Sequence, residues 1–146
     1  MKIFLGADHR GFELKNQIVA WLQANQVTVS DFGAHEYNAE DDYNDCAKSV
    51  AKALLAEPAA DNFGILVCGS AQGVAMQANR FKGIRASICH TEAQAIETRS
   101  HNNANILCIS ADEDSEHFEG IIRAFLSTAP LTDNKYIRRN QKLDED

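Results

Sequence analysis

The segment C-G-S-A-Q-G at 68–73 combines a thiol with small, glycine-flanked residues directly after an apolar run. A turn of this kind between a strand and a helix points backbone N–H groups into a crevice, where they can hold a phosphate or an oxyanion. A cysteine at a helix N-terminus is expected to have a lowered thiol pKa, which suits a base or a nucleophile. The segment is not a Walker loop, because G-x-x-x-x-G-K-[ST] is absent. It is not a phosphatase C-x5-R loop either, because Val74 stands where that arginine would be. The alternative is an inert cysteine buried in a tight turn.

Two further segments carry groups that can transfer protons. Asp8 and His9 follow the first apolar run, and His101 and Asn102 precede the last one. Asp8 could instead cap the first helix, and the asparagines at 102 and 103 could end a helix, because Asn tolerates the left-handed conformation. Each segment therefore has a functional and a structural interpretation.

The remaining cysteines and histidines are weaker candidates. Three cysteines fall on apolar positions and are predicted to be core, and three histidines have no partner at metal-ligand spacing, so we expect no metal site. The one basic cluster lies at 135–142 and is too small to indicate nucleic-acid binding. These residues are Cys46, Cys89, Cys108, His35, His90 and His117.

Short apolar runs alternate with amphipathic segments along the chain. Strands are predicted near 3–5, 27–32, 64–67, 84–88 and 106–109. Helices are predicted at 11–24, from Tyr43 until Pro58 ends it, at 72–80, at 91–99 with Ala93 and Ile96 facing the core, from Phe118 to Phe125, and at 135–143. Apolar strands separated by helices predict a single domain, 1–146, with a doubly wound, Rossmann-like α/β/α sandwich around a five-stranded parallel sheet.

Composition narrows the functional classes. The chain has 146 residues, 14 Lys and Arg against 21 Asp and Glu, a net charge of −7, and four cysteines with no C-x-x-C pair. We therefore expect no nucleic-acid partner, no membrane span or signal peptide, and a reducing, cytoplasmic location. An anionic substrate would have to be bound by a local positive site.

Taken together, the motifs resemble the ribose-5-phosphate isomerase B family, which includes the galactose-6-phosphate isomerase subunits. The resemblance extends over essentially the whole chain. The segments that carry it are G-A-D-H-R-G-F-E-L-K at 6–15, D-Y-N-D at 42–45, G-I-L-V-C-G-S-A-Q-G-V-A-M-Q-A-N-R at 64–80, G-I-R-A at 83–86, R-S-H-N-N-A-N at 99–105 and K-Y-I-R-R at 135–139.

The resemblance implies an aldose–ketose isomerase that works through a cis-enediolate without metal or cofactor, by default on ribose 5-phosphate. Cys68 would be the base, Ser70 would shuttle protons, and His101 with Asn102 would open the sugar ring. The backbone at Gly69, Ala71, Gln72 and Gly73 would form the anion hole, Asp8 and Tyr43 would contact sugar hydroxyls, and His9, Lys135 and Arg139 would contact the phosphate.

Topology adds a prediction about assembly. Cys68 ends a strand whereas His101 precedes one, so the two lie at opposite edges of a parallel sheet, separated by ~17 Å for a five-residue strand. One subunit therefore cannot bring both side chains to one sugar. We expect a homodimer with shared sites, able to pair into tetramers, and a C-terminal tail, 132–146, that docks on the neighbouring subunit.

Three positions depart from the family pattern. Ala71 replaces a glycine and is expected to reshape the anion hole slightly, and Lys135 replaces a common Arg. Asp112 stands where a phosphate-binding Arg is expected, which is electrostatically unfavourable for a phosphate. Asp112→Arg is therefore predicted to lower the KM for a phosphorylated pentose.

Three other functions remain open at this point. The same chemistry could act on a different or unphosphorylated aldose. A cysteine hydrolase using Cys68 and His101 would need a third group to orient the histidine. A non-catalytic sugar-binding protein would not need to retain Cys68, Ser70 and His101.

Overall fold

The computed structural model describes residues 1–145, in which strands and helices alternate as predicted. The strands are β1 (Lys2–Ala7), β2 (Thr28–Asp31), β3 (Asn62–Cys68), β4 (Ala86–Ile88) and β5 (Ile106–Ser110). The helices are α1 (Phe12–Ala24), α2 (Tyr43–Ala56), α3 (Gln72–Ala78), α4 (Glu92–Asn102), α5 (Phe118–Ser127) and α6 (Asn134–Lys142). Asp146, the last residue of the predicted docking tail, lies outside the described residues.

The five strands form one parallel sheet in the order β2-β1-β3-β5-β4. The register aligns the carboxyl ends of the three central strands, because Ala7 pairs with Val67 and Cys68 pairs with Ser110. The loops that follow β1, β3 and β5 therefore meet at one edge of the sheet, where ligands bind in open α/β sheets.

Two apolar clusters cover the two faces of this sheet. Successive residues of a central strand alternate between them: Ile65 belongs to one cluster and Leu66 to the other. Helices α1, α4 and α5 contribute to the first cluster, and α2 and α3 to the second. The predicted three-layer α/β/α sandwich is thereby confirmed. Within residues 1–145, every helix is too short or too polar to cross a bilayer.

Helix α4 corrects one sequence prediction. Ala93 and Ile96 were expected to face the core, but both are exposed, and the buried positions are Ala95, Thr98 and Arg99. The reason is Arg99, whose guanidinium lies 4.8 Å from the ring centre of Phe63 and donates hydrogen bonds inside the fold. A buried arginine therefore sets the rotation of the helix, and the apolar pattern does not.

Candidate active site

Three loops meet at the carboxyl edge of the sheet, and backbone hydrogen bonds join two of them, the loops after β3 and β5. The amide of Ala111 donates to the carbonyl of Cys68 at 2.9 Å, and the amide of Asp112 donates to the carbonyl of Gly69 at 3.1 Å. The Ser110 hydroxyl donates to the same Gly69 carbonyl at 2.6 Å. The loop after β3 is thus held against the loop after β5, with its carbonyls engaged on that side.

Cys68 is the buried centre of this edge, with 5% of its surface exposed. Burial raises the pKa of its thiol; hydrogen bonds from the backbone of Val74, Ala71 and Ser70 oppose that shift, and the nearby Asp8 carboxylate reinforces it. The lowered pKa expected from the sequence is therefore wrong. Removing a thiolate from water costs more free energy than it gains from the backbone amides in the first turn of the short helix α3.

Ala71 adopts the left-handed conformation, with φ of 63°. An alanine in this region costs about 1–2 kcal/mol relative to a right-handed residue. The loop therefore keeps a glycine-like shape despite the substitution. The Gln72 amide turns towards the Ser70 hydroxyl, which accepts its hydrogen bond at 3.4 Å, and both side chains are exposed.

The ring of Tyr43 covers the start of α3. A Cβ atom added at Gly73 would lie 2.7 Å from Cζ of Tyr43, so a glycine is required for this close approach. Tyr43 begins α2, and its carbonyl accepts the thiol hydrogen of Cys46 at 3.1 Å. The phenol is exposed and lies against Gly73 in the first turn of α3.

Asp8 and His9 complete this side of the site. The buried Asp8 carboxylate accepts the amide of Gly11 at 3.0 Å. Gly11 is itself the N-cap residue of α1 and, within residues 1–145, no side chain caps this helix, so the capping interpretation of Asp8 is wrong. Burial raises the pKa of Asp8, while that Gly11 hydrogen bond opposes the shift. His9 Nδ1 lies 2.7 Å from the Asp41 carboxylate, which also accepts the His9 amide at 3.0 Å. Asp41, which the sequence analysis missed, thereby orients the imidazole.

Arg10 is a second residue that the sequence analysis missed. Its Nη2 atom lies 2.6 Å from Oδ2 of Asp112, the carboxylate that seemed unfavourable for a phosphate. The two residues are 102 positions apart in the chain, so no local pattern links them. The available signal was the placement of an arginine beside His9 in the same loop.

The other predicted site residues gather around the end of α4. The His101 ring stacks on Tyr136 of α6 with ring centres 5.0 Å apart and an interplanar angle of 1°. Lys135 Nζ lies 4.8 Å from the centre of the same Tyr136 ring. Asn102, which follows His101, and Arg139, on α6, are both exposed. Asn103 ends α4 in the left-handed conformation, which confirms the helix-ending interpretation at that residue.

The residues around Cys68 and the residues around His101 lie at opposite edges of the sheet. Ile106, where β5 begins just after α4, pairs with Gly64, and Cys68 lies four residues further along β3, or ~13 Å. One chain therefore brings together Asp8, His9, Tyr43 and 68–73, and separately His101, Asn102, Lys135 and Arg139. The tail after residue 132 contacts its own chain, where Asn140 Nδ2 donates to the His101 carbonyl at 3.3 Å.

The other cysteines are buried in the core, as predicted. Cys46, Cys89 and Cys108 are all free thiols with at most 8% of their surface exposed. Burial raises the pKa of Cys46 to about 12 and that of Cys89 to about 11. Cys68 is therefore distinguished by its place at the strand end and by the backbone amides around it.

A doubly wound parallel sheet with a buried thiol and an amide-lined loop at its carboxyl edge is typical of an α/β protein with a small-molecule site at that edge. The model of the ribose/galactose isomerase family matches residues 3–143, and the chain belongs to this family.

Several individual proteins are similar over nearly their whole length. A probable ribose-5-phosphate isomerase B of Mycoplasma genitalium is 38% identical over 143 residues, covering 97% of this chain and 92% of the relative. The crystal structure of a ribose 5-phosphate isomerase from Thermotoga maritima has a TM-score of 0.92 and 39% identity, covering 99% of this chain and 98% of that chain. The M. genitalium ribose-5-phosphate isomerase B with bound ribulose-5-phosphate has a TM-score of 0.89 and 35% identity, covering 97% and 93%.

Proposed function

We propose that this protein is an aldose–ketose isomerase that interconverts ribose 5-phosphate and ribulose 5-phosphate. Family membership and the ribose-5-phosphate isomerases it resembles support the reaction. The observation that carries the proposal is the location of Cys68, a buried thiol at the end of β3 with backbone amides directed at it and Asp8 beside it. This arrangement suits proton transfer next to a carbonyl.

In the proposed reaction, the Cys68 thiolate removes the proton from C2 of the open-chain aldose. The electron pair of the C–H bond forms the C1–C2 double bond, and the aldehyde oxygen becomes the enediolate oxygen. Backbone amides of 69–73 stabilise that oxygen, and the Ser70 hydroxyl passes the proton between O2 and O1. The Cys68 thiol then returns its proton to C1, which gives the ketose. A thiolate of raised pKa is a stronger base, so burial favours this step once the thiol is deprotonated.

The ring-opening group would come from a second copy of the chain. His101 and Asn102 lie at the edge of the sheet opposite Cys68, and a homodimer can bring the two edges together. In such a dimer, His101 of one copy opens the furanose ring above Cys68 of the other, and Asp8 and Tyr43 contact the sugar hydroxyls. The tail 132–146 would carry Lys135 and Arg139 to the phosphate, together with His9 of the first copy. The four free thiols agree with a cytoplasmic location.

The first experiment measures conversion of ribose 5-phosphate to ribulose 5-phosphate by wild type, Cys68→Ala and the core control Cys46→Ala. We expect turnover that the first substitution abolishes and the second largely retains. Folded, dimeric wild-type protein without turnover would refute the proposed substrate, whereas full activity of Cys68→Ala would refute the base.

A second experiment tests the shared site. Cys68→Ala and His101→Ala are each expected to be inactive alone. Mixed and allowed to exchange subunits, they form heterodimers in which one of the two sites has both native residues. A 1:1 mixture then regains about a quarter of wild-type activity, because half the dimers are mixed and each has one intact site. No recovery, with exchange confirmed by mass spectrometry, would place both residues in one subunit's site.

A further inference from the structure

The Arg10 guanidinium occupies a defined position over the loop after β3. A Cβ atom added at Gly69 would lie 2.4 Å from Cζ of Arg10, 2.6 Å from its Nε and 2.7 Å from its Nη1. Residue 69 therefore has to be a glycine for the guanidinium to lie there. The cation is thus placed at the first residue of the loop whose amides face Cys68.

Asp112 holds the guanidinium in this position from the other side. Its carboxylate contacts Nη2 at 2.6 Å, and its own amide donates to the Gly69 carbonyl at 3.1 Å. The loops after β1, β3 and β5 therefore converge on one arginine. Among the residues 1–145, the only carboxylate in an ion pair with Arg10 is Asp112, and it contacts Nη2. The other two guanidinium nitrogens, Nε and Nη1, face Gly69.

This ion pair has little value for stability. About half of each side chain is exposed, 55% for Arg10 and 49% for Asp112, and exposed pairs contribute little in measured cycles. A guanidinium carries five N–H donors in a fixed planar arrangement that matches a phosphate, and the carboxylate uses the Nη2 end. More than half of the Arg10 side chain is exposed, at the edge of the sheet where substrate is expected.

We propose that Arg10 binds the phosphate group of the sugar phosphate and that Asp112 is the positioning residue that fixes its guanidinium. The proposal rests on the function proposed above and assigns to that site a cation that the family resemblance did not provide. His9, for which the resemblance implies a phosphate contact, is the neighbouring residue in the same loop. In a chain of net charge −7, the Arg10 guanidinium offsets the Asp112 carboxylate and offers directed donors to an anion.

The ion pair with Arg10 also changes the expected effect of Asp112 on phosphate binding. An isolated carboxylate would repel a phosphate, whereas a carboxylate paired with Arg10 leaves a locally neutral group with directed donors. The substitution that seemed to weaken phosphate binding would instead move the guanidinium from the loop after β5 to the loop after β1.

The main test compares Arg10→Ala with Arg123→Ala, an exposed arginine on α5 that removes the same charge away from the site. Phosphate contacts act on ground and transition states alike, so KM should rise and kcat should change little. Loss of a charge-assisted contact predicts an increase in KM for ribose 5-phosphate of about 10- to 100-fold in Arg10→Ala. Arg123→Ala should stay within twofold of wild type. An unchanged KM in Arg10→Ala would overturn the proposal.

A binding measurement separates this proposal from the function on which it rests. Calorimetric titration with inorganic phosphate requires no turnover, and Arg10→Ala should weaken its affinity about tenfold or more relative to wild type and Arg123→Ala. If wild type binds phosphate through Arg10 but does not isomerise ribose 5-phosphate, the proposed function fails and the phosphate site stands. Equal phosphate affinity in wild type and Arg10→Ala overturns the phosphate site whatever the activity.

Two further variants test the role of Asp112. Asp112→Asn should raise KM a few-fold in the wild-type background and not in the Arg10→Ala background, because it acts through the arginine. An equal rise in both backgrounds would overturn the positioning role. The double variant Arg10→Ala/Asp112→Arg returns a guanidinium to the same edge and should recover much of the lost affinity. A KM that stays at the Arg10→Ala value would overturn the proposed exchange of the guanidinium between the loops after β5 and β1.

Discussion

Arg99 fixes the end of α4, and its replacement by methionine should cost stability and activity together. The guanidinium is 4% exposed and donates to the Ala104 carbonyl at 2.6 Å, the Asn103 side chain at 2.9 Å and the Thr128 carbonyl at 3.2 Å. Burial lowers the pKa of this guanidinium, which nevertheless stays charged at neutral pH. The residue thus ties the last turn of the helix to the segment that leads into β5.

The expected loss of stability follows from the carbonyl groups that lose their hydrogen-bond donor. Methionine restores apolar contact with Phe63 and Phe125, but the Ala104 carbonyl remains buried without its donor, and the Thr128 carbonyl partly so. An unsatisfied buried group costs about 1–3 kcal/mol, so Arg99→Met should lower the free energy of unfolding by about 2–4 kcal/mol. For a domain of this size that corresponds to a Tm lower by roughly 10 °C.

The assay is urea unfolding followed by circular dichroism, with Arg123→Met as the control. Arg123 is exposed and lies 5.4 Å from the ring centre of Trp21, so its loss should cost under about 1 kcal/mol. Because α4 carries His101, we also expect Arg99→Met to lower kcat for ribose 5-phosphate about 10- to 100-fold at a temperature where it is folded. A stability loss below about 0.5 kcal/mol would refute the reasoning about unsatisfied carbonyls.

Three other predictions follow from the same structure. The pKa of Cys68 is raised above its ordinary 9.0, so kcat/KM should rise with pH through neutrality and past pH 9 as the thiolate forms; a plateau below pH 8 would contradict this. Gly73→Ala should displace the Tyr43 ring and lower kcat/KM while Tm stays equal or rises, because alanine favours the helix; unchanged kcat/KM would exclude a role for the ring position. Lys15 Nζ, 1% exposed, lies 2.6 Å from Asp31, so Asp31→Asn should cost about 3–5 kcal/mol in urea unfolding. Lys15→Met should cost clearly less, and equal losses would refute the argument from a stranded buried charge.

Local pattern determined most of the architecture. The apolar runs at 3–5, 64–67 and 106–109 can be buried on both faces only as central parallel strands, and the amphipathic segments between them supply the covering helices. The same logic places Asp8 and Cys68 at the carboxyl ends of neighbouring strands and His101 at the opposite edge. These conclusions need nothing beyond periodicity, strand direction and chain connectivity.

Contacts between residues far apart in the chain determined the ion pairs, the thiol pKa and the helix rotation, which the hydrophobic pattern does not predict. Arg10 and Asp112 meet because β1 and β5 flank β3, and a charge read alone in the sequence does not reveal its partner. The thiol pKa of Cys68 depends on burial by the whole fold, which outweighs the helix terminus beside it. The rotation of α4 follows from one buried arginine between Phe63 and Phe125, residues of β3 and α5. Desolvation and ion pairing depend on three-dimensional neighbours, so only the tertiary structure determines them.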